Sequence, residues 1–245
     1  MFNARQFAQR LANRQDCWSL LKESVAEWHT PLKDGDGYAA EEIDQAEQRL
    51  GLRLPIALRE WYSLAGRRDD ITRRQYWLRR PSELTIRGDV LEFHRENQSV
   101  VNWGVRLTDF DQDDPPVFID DVEYLGRRRN HRVVQNSSLS EFALQMVVLE
   151  TMLSARFRAD ADCQTNTQEI IASNFHALGF PDWAWPGAVT RWYGGSDVLV
   201  QITCDEAPSP SLLSIAARND DAYRRSLKLF DADWMHLGTE SCRKL

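Results

Sequence analysis

Carboxylates are the most conspicuous chemical groups in this chain. Asp109, Asp111, Asp113, Asp114, Asp120, Asp121 and Glu123 occupy one short stretch that contains no Lys or Arg, and Arg127, Arg128, Arg129 and Arg132 follow directly. On one surface such a run would attract a basic partner, raising the encounter rate and rejecting wrong partners. As a bare sequence feature it also fits a solvated loop between strands. Acid and base roles would require two carboxylates converging in a pocket, which spacing alone does not establish. A second charged stretch holds Arg67, Arg68, Arg73, Arg74, Arg79 and Arg80 with Asp69 and Asp70 inside it. Phosphate binding and local ion pairing are its two readings, and the formal net charge of -7 favours pairing. Glu96, Asn97 and Gln98 form a polar trio that either lines a surface concavity at a strand end or satisfies the backbone of a turn.

Other chemistries lack their signatures. The histidines His29, His94, His131, His176 and His236 are scattered, with no HExxH or comparable metal spacing. GxSxG, P-loop and GxGxxG patterns are missing, and Gly194, Gly195, Ser196 and Asp197 read as a hairpin turn. Cys17, Cys163, Cys204 and Cys242 lie far apart without a CxxC pair, so reduced thiols are expected in place of a zinc site or a disulfide framework. Trp183 and Trp185, flanked by Pro181 and Pro186, are candidate interface anchors or core residues. No catalytic residue, metal or cofactor is expected.

Composition bounds the remaining possibilities. The chain has 245 residues, 42% hydrophobic and 27% charged, a balance that supports a substantial buried core and argues against disorder. The acidic balance argues against a general nucleic-acid binder. No stretch approaches the roughly 18 apolar residues of a membrane helix. The N-terminal residues lack the apolar region and cleavage pattern of a signal peptide, so a cytoplasmic protein is expected.

The elements that must position these groups follow from periodicity. Phe7, Leu11, Trp18, Leu21, Val25 and Trp28 predict one or two helices before the turn-rich segment Pro31 to Gly37. Ile43, Ala46, Glu47 and Leu50 share a helical face, with Glu41 and Glu42 at the positive end and Gly51 at the cap. Pro55 suits the first position of a second helix carrying Leu58, Trp61, Tyr62 and Ala65, with Gly66 to stop it. The runs 90–96 and 100–107 are β-type and predict an antiparallel hairpin in which Val101, Trp103 and Val105 face the core while Asn102 points the other way. A strand Val117 to Ile119 follows Pro115 and Pro116. Ser138 and Glu141 have capping-box spacing before the longest core helix, whose apolar repeat runs from Leu139 to Leu153. A helix from Thr167 to Leu178, strands 190–193, 198–202 and 212–216, and a last helix from Asn219 with Tyr223, Leu227 and Phe230 inward complete the chain.

Residues 39–66 (AAEEIDQAEQRLGLRLPIALREWYSLAG), 90–105 (VLEFHRENQSVVNWGV) and 113–120 (DDPPVFID) together resemble the SUKH (Smi/Knr-like) superfamily, and 138–153 looks like the helix that follows in that family. The order matches: an acidic-start helix, a Leu-Gly-x-x-Leu-Pro link, a second helix ending near Gly, a strand leading to Glu-Asn-Gln, a Trp-Gly strand, then a Pro-Pro strand. The resemblance implies an α+β fold, a mainly antiparallel β-sheet flanked by helices, with 39–159 as core, 1–38 as an N-terminal helical lead and 160–245 as a C-terminal β/α extension of a single domain. It also implies a protein-binding function without catalysis. The expected function is that of an immunity protein whose partner is a cognate toxin domain, possibly a nuclease, with no nucleic acid or membrane bound. The alternative is a regulatory or scaffold module with a non-toxin partner, as in the fungal cell-wall regulators. The expected contact residues are the seven acids from Asp109 to Glu123, mimicking a nucleic-acid backbone, with Trp183 and Trp185 as anchors.

Overall fold

A computed structural model describes residues 4–121, 133–182, 189–204 and 210–237. The α+β class holds: helices accompany two six-stranded antiparallel sheets. Contacts divide the chain into two compact units, Ala12–Glu150 and Met1–Leu11 with Thr151–Leu245. The lead 1–38 is therefore shared between them. Helix α1 (Ala4–Arg10) belongs to the second unit, whereas α2 (Arg14–Trp28), whose N-terminal amides of Gln15 and Asp16 are capped by the Asn13 side chain, belongs to the first.

In the first unit the paired helices form as their sequence periodicity requires. Helix α3 (Ala40–Leu50) turns Ile43 and Ala46 inward and ends at Gly51, whose φ of 71° only glycine adopts freely. Glu47 then accepts from the Leu54 amide at 2.8 Å, fixing the link into α4 (Ile56–Ala65), where Pro55 is the cap residue and not the first helical one. The short helix α5 (Asp69–Thr72) leads to β1 (Tyr76–Leu78), followed by β2 (Thr85–Arg87), β3 (Val90–Glu96), β4 (Val101–Arg106), β5 (Val117–Asp121) and β6 (Val133–Asn136). Their order is β1-β3-β4-β5-β6, with β2 paired to the free half of β3.

One face of this sheet packs on α4 and on α6 (Leu139–Ser154). Trp61 of α4 and Phe142 of α6 meet Phe93, His94 and Trp103, with ring centroids 5.5–6.2 Å apart. All five rings are fully buried, and such stacked and edge-to-face contacts each add about 0.5–1.5 kcal/mol beyond area burial. Far along α6, the buried Glu150 carboxylate accepts the backbone amides of Arg74, Gln75 and Tyr76 at 2.7–2.9 Å and so anchors the start of β1.

The second unit contains β7 (Phe157–Asp162), α7 (Thr167–Asn174), β8 (His176–Ala177), β9 (Val189–Gly194), β10 (Val198–Cys204), β11 (Pro210–Ala217), α8 (Asp220–Phe230) and β12 (Trp234–Leu237), in sheet order β12-β7-β11-β10-β9-β8. The helix expected to reach Leu178 stops at Asn174, because His176 and Ala177 pair instead with Gly194 and Tyr193. Gly179, with φ 81°, is needed for close approach: a Cβ there would lie 2.7 Å from that of Ala8 on α1. Asn219 caps α8 by accepting the Ala222 amide, and Phe230 stacks on Phe175 at 5.8 Å.

Candidate functional site

Residues directly opposite in an antiparallel pair share a sheet face, so the register of the first sheet defines what lies on the side away from α4 and α6. Trp77 pairs with Arg95, and Arg95 with Asn102; Glu92 pairs with Gly104, Val90 with Arg106, and Gly104 with Phe118. Thr85 and Arg87 of β2 join through Glu92 and Val90, and Val134 of β6 through Phe118. A bulge between Glu92 and His94 inserts one residue, which lets Phe93 and His94 both reach the aromatic core while Glu92 and Arg95 stay on the opposite face. The centre of this face has no room at Gly104, where a Cβ would run into the Val90 side chain and the Leu91 carbonyl.

The face is rich in guanidinium groups. Arg79 donates to both Glu92 and Asn102 at 3.1 Å, and Arg87, with 61% of its side chain exposed, stands 3.9 Å from the other Glu92 oxygen. Arg95 and Arg106 are held differently. The Arg95 guanidinium carbon lies 4.5 Å from the centre of the Trp77 ring, and that of Arg106 lies 3.9 Å from the centre of Phe118. Neither side chain has a hydrogen bond or ion pair among the described residues, and the Arg106 Nε–H is buried without an acceptor. Elsewhere in the same unit Arg14, Arg59, Arg67, Arg68 and Arg73 each meet a carboxylate. A cation–π contact engages the guanidinium charge without consuming its N–H groups, and a carboxylate can accept two of those in parallel.

Within the acidic segment, Asp113 and Asp114 are engaged in the fold. Asp114 spends both oxygens on Ser140, accepting its amide at 2.9 Å and its hydroxyl at 2.6 Å. It thereby caps α6, a contribution of about 1 kcal/mol. Ser138 accepts the Glu141 amide at 3.3 Å, while the Glu141 carboxylate receives the Ser137 hydroxyl, so the expected capping box is displaced by one residue on its return side. Asp113 pairs with Arg14 at 3.2 Å, and Arg14 also meets Glu60. Asp109 is partly exposed, at the short 3-10 turn Leu107–Asp109, and Asp111 is exposed just after it. Asp120 and Asp121 lie on β5 by register, opposite Asn102 and Val101. Glu123, Trp183 and Trp185 lie outside the described residues.

The other sequence candidates resolve into local structure. Glu96 accepts the amides of Gln98 and Val100, so this carboxylate closes the β3–β4 turn that Asn97 and Gln98 were expected to serve. In the basic stretch, Arg67 binds Glu42, Arg68 binds Asp36 and Asp70, and Arg73 binds Glu83, as expected for ion pairing. A cleft of about 540 Å³ lies between Tyr38, α3 and Pro81. Of its arginines, Arg67 is taken by Glu42 and stacks on Tyr38, and Arg49 donates to the carbonyls of Pro81 and Leu84. Cys17, Cys163 and Cys204 are free thiols, and burial pushes Cys17 and Cys163 up to about 11. Among the described residues no group of three or more His, Cys, Asp or Glu could hold a metal ion, and no helix is long and apolar enough to cross a membrane.

Sequence reasoning missed the two arginine–aromatic pairs. The alternation of β4 was the available signal, since Asn102, Gly104 and Arg106 must oppose Val101, Trp103 and Val105. The partners Trp77 and Phe118 come from β1 and β5, and nothing in local sequence names them. Scans against protein-family models, curated proteins and solved structures return no match for this chain.

Proposed function

We propose that this chain is a cytoplasmic protein-binding module of the immunity type, which neutralises a cognate bacterial toxin domain by covering its active site or substrate path and carries out no catalysis itself. The observation that supports a binding role is the two-sided sheet of residues 76–136: one face is closed by five buried rings, and the other presents partly exposed arginines whose guanidinium groups lie over Trp77 and Phe118. Arginine and tryptophan are the residue types that most often dominate binding energy at interfaces. The toxin partner and the SUKH-type identity come from the sequence resemblance of residues 39–120 and 138–153. A regulatory or scaffold role with a non-toxin partner is the alternative under the same resemblance.

Coexpression tests the proposal. Cells expressing a toxin domain encoded beside this chain's gene are expected to survive only when the chain is present, and the two proteins are expected to copurify. Equal killing with and without the chain would reject the immunity role.

A further inference from the structure

Resting on the protein-binding role proposed above, we infer that the arginine face of the first sheet receives an acidic protein surface, with one carboxylate on Arg95 and another on Arg106. This reverses the expectation from net charge, in which an acidic chain would grip a basic partner. The chain carries 37 acidic residues against 30 basic ones, so an intramolecular carboxylate is easily supplied to a cation that needs one. Arg79 and Arg87 have Glu92, yet Arg95 and Arg106 on the same face have none among the described residues. Each guanidinium lies over a ring, 4.5 Å from the centre of Trp77 and 3.9 Å from that of Phe118, in a residue that stays partly exposed.

The spacing constrains the partner. Arg95 is level with Asn102 and Arg106 lies four positions further along β4, which sets their backbone positions about 13 Å apart along the strand, while the side chains lean apart to rings on β1 and β5. Between them Glu92 and Asn102 are already bonded to Arg79, and the Val90 side chain packs against Gly104. Two separated carboxylates flanking a close-packed middle match this pattern. A phosphodiester backbone matches it poorly, since it carries a charge at every nucleotide and would set one against Glu92.

The test uses the full chain with a short poly-L-glutamate peptide as probe and a poly-dT oligonucleotide of equal charge as competitor. In the variant R95M/R106M the apolar stems stay against the rings while the charge is removed; R224Q/R225Q removes the same charge from exposed positions on α8. Matching thermal unfolding curves establish that both variants fold. Poly-glutamate affinity is expected to fall about tenfold or more in R95M/R106M and to stay within about twofold in R224Q/R225Q. Undiminished binding in R95M/R106M, preference for poly-dT, or self-association of the chain through this face would each overturn the inference. The coexpression assay separates it from the parent proposal. If R95M/R106M protects cells as well as wild type does, the arginine site is wrong and the immunity role stands. If wild type fails to protect while poly-glutamate binding still depends on Arg95 and Arg106, the immunity role is wrong and the arginine site stands.

Discussion

Glu150→Ala is expected to destabilise the protein by about 3–5 kcal/mol, enough to leave a domain of ordinary stability largely unfolded at modest temperature. The carboxylate is buried near the end of α6 and accepts three consecutive backbone amides, those of Arg74, Gln75 and Tyr76. Truncation leaves three donors without that acceptor and opens a cavity where the side chain was, and each stranded donor costs about 1–3 kcal/mol less whatever water recovers. Glu150→Gln keeps one carbonyl acceptor and is expected to lose less. Urea unfolding of the three proteins checks both the size and the order. The functional consequence is local, because the anchored segment delivers Trp77 to its place opposite Arg95.

The second large effect is a pH dependence from His94. Its imidazole is fully buried, stacked on Trp61 with Trp103 and Phe142 at its edges, and neither ring nitrogen has a hydrogen-bond partner. Burial, helped by the positive charges of Arg79 and Arg73, lowers its pKa to about 3 from the ordinary 6.5. A base with a depressed folded pKa favours the folded state fully above 6.5. As pH falls below 6.5 the unfolded chain takes up a proton that the folded chain refuses, and stability falls until the folded pKa is reached. The loss between pH 7 and pH 5 is about 2 kcal/mol. Burial raises the Glu150 and Glu141 carboxyls, so these groups favour the folded state as they protonate in acid and act in the opposite sense. His29 is also depressed by burial and adds to the loss. The variant His94→Phe isolates the one group: its stability relative to wild type is expected to rise by about 2 kcal/mol on going from pH 7 to pH 5, and a constant difference would refute the assignment.

What the sequence revealed follows from the range of the interactions involved. Helix α3, the β3–β4 hairpin, α6 and α8 were legible because periodicity and caps act within a few residues: Gly51 adopts the left-handed cap, Trp103 enters the core, and Asn219 caps α8. Strands β1 and β2 have three residues each, too few for alternation to register. Strand β7 escaped for another reason: its buried positions are Ala159 and Ala161, which offer little contrast with polar neighbours although they lie between β11 and β12. The partners of Asp113 and Asp114 in the acidic run were not legible because adjacency in sequence is not adjacency in space. Asp114 turned to Ser140, 26 residues away, and Asp113 turned to Arg14. The candidate face depends on the same long-range placement, since register across five strands decides which arginines face solvent together and which rings lie beneath them.

Photo-cross-linking with the cognate toxin domain tests most directly whether the arginine face of the first sheet is the binding surface. A benzophenone side chain is placed at Arg87 or Val134 on that face, and at Asp111 in the acidic turn. Efficient cross-links from Arg87 and Val134 with little from Asp111 are the expected result. Cross-links from Asp111 alone would contradict it and return the interface to the acidic segment.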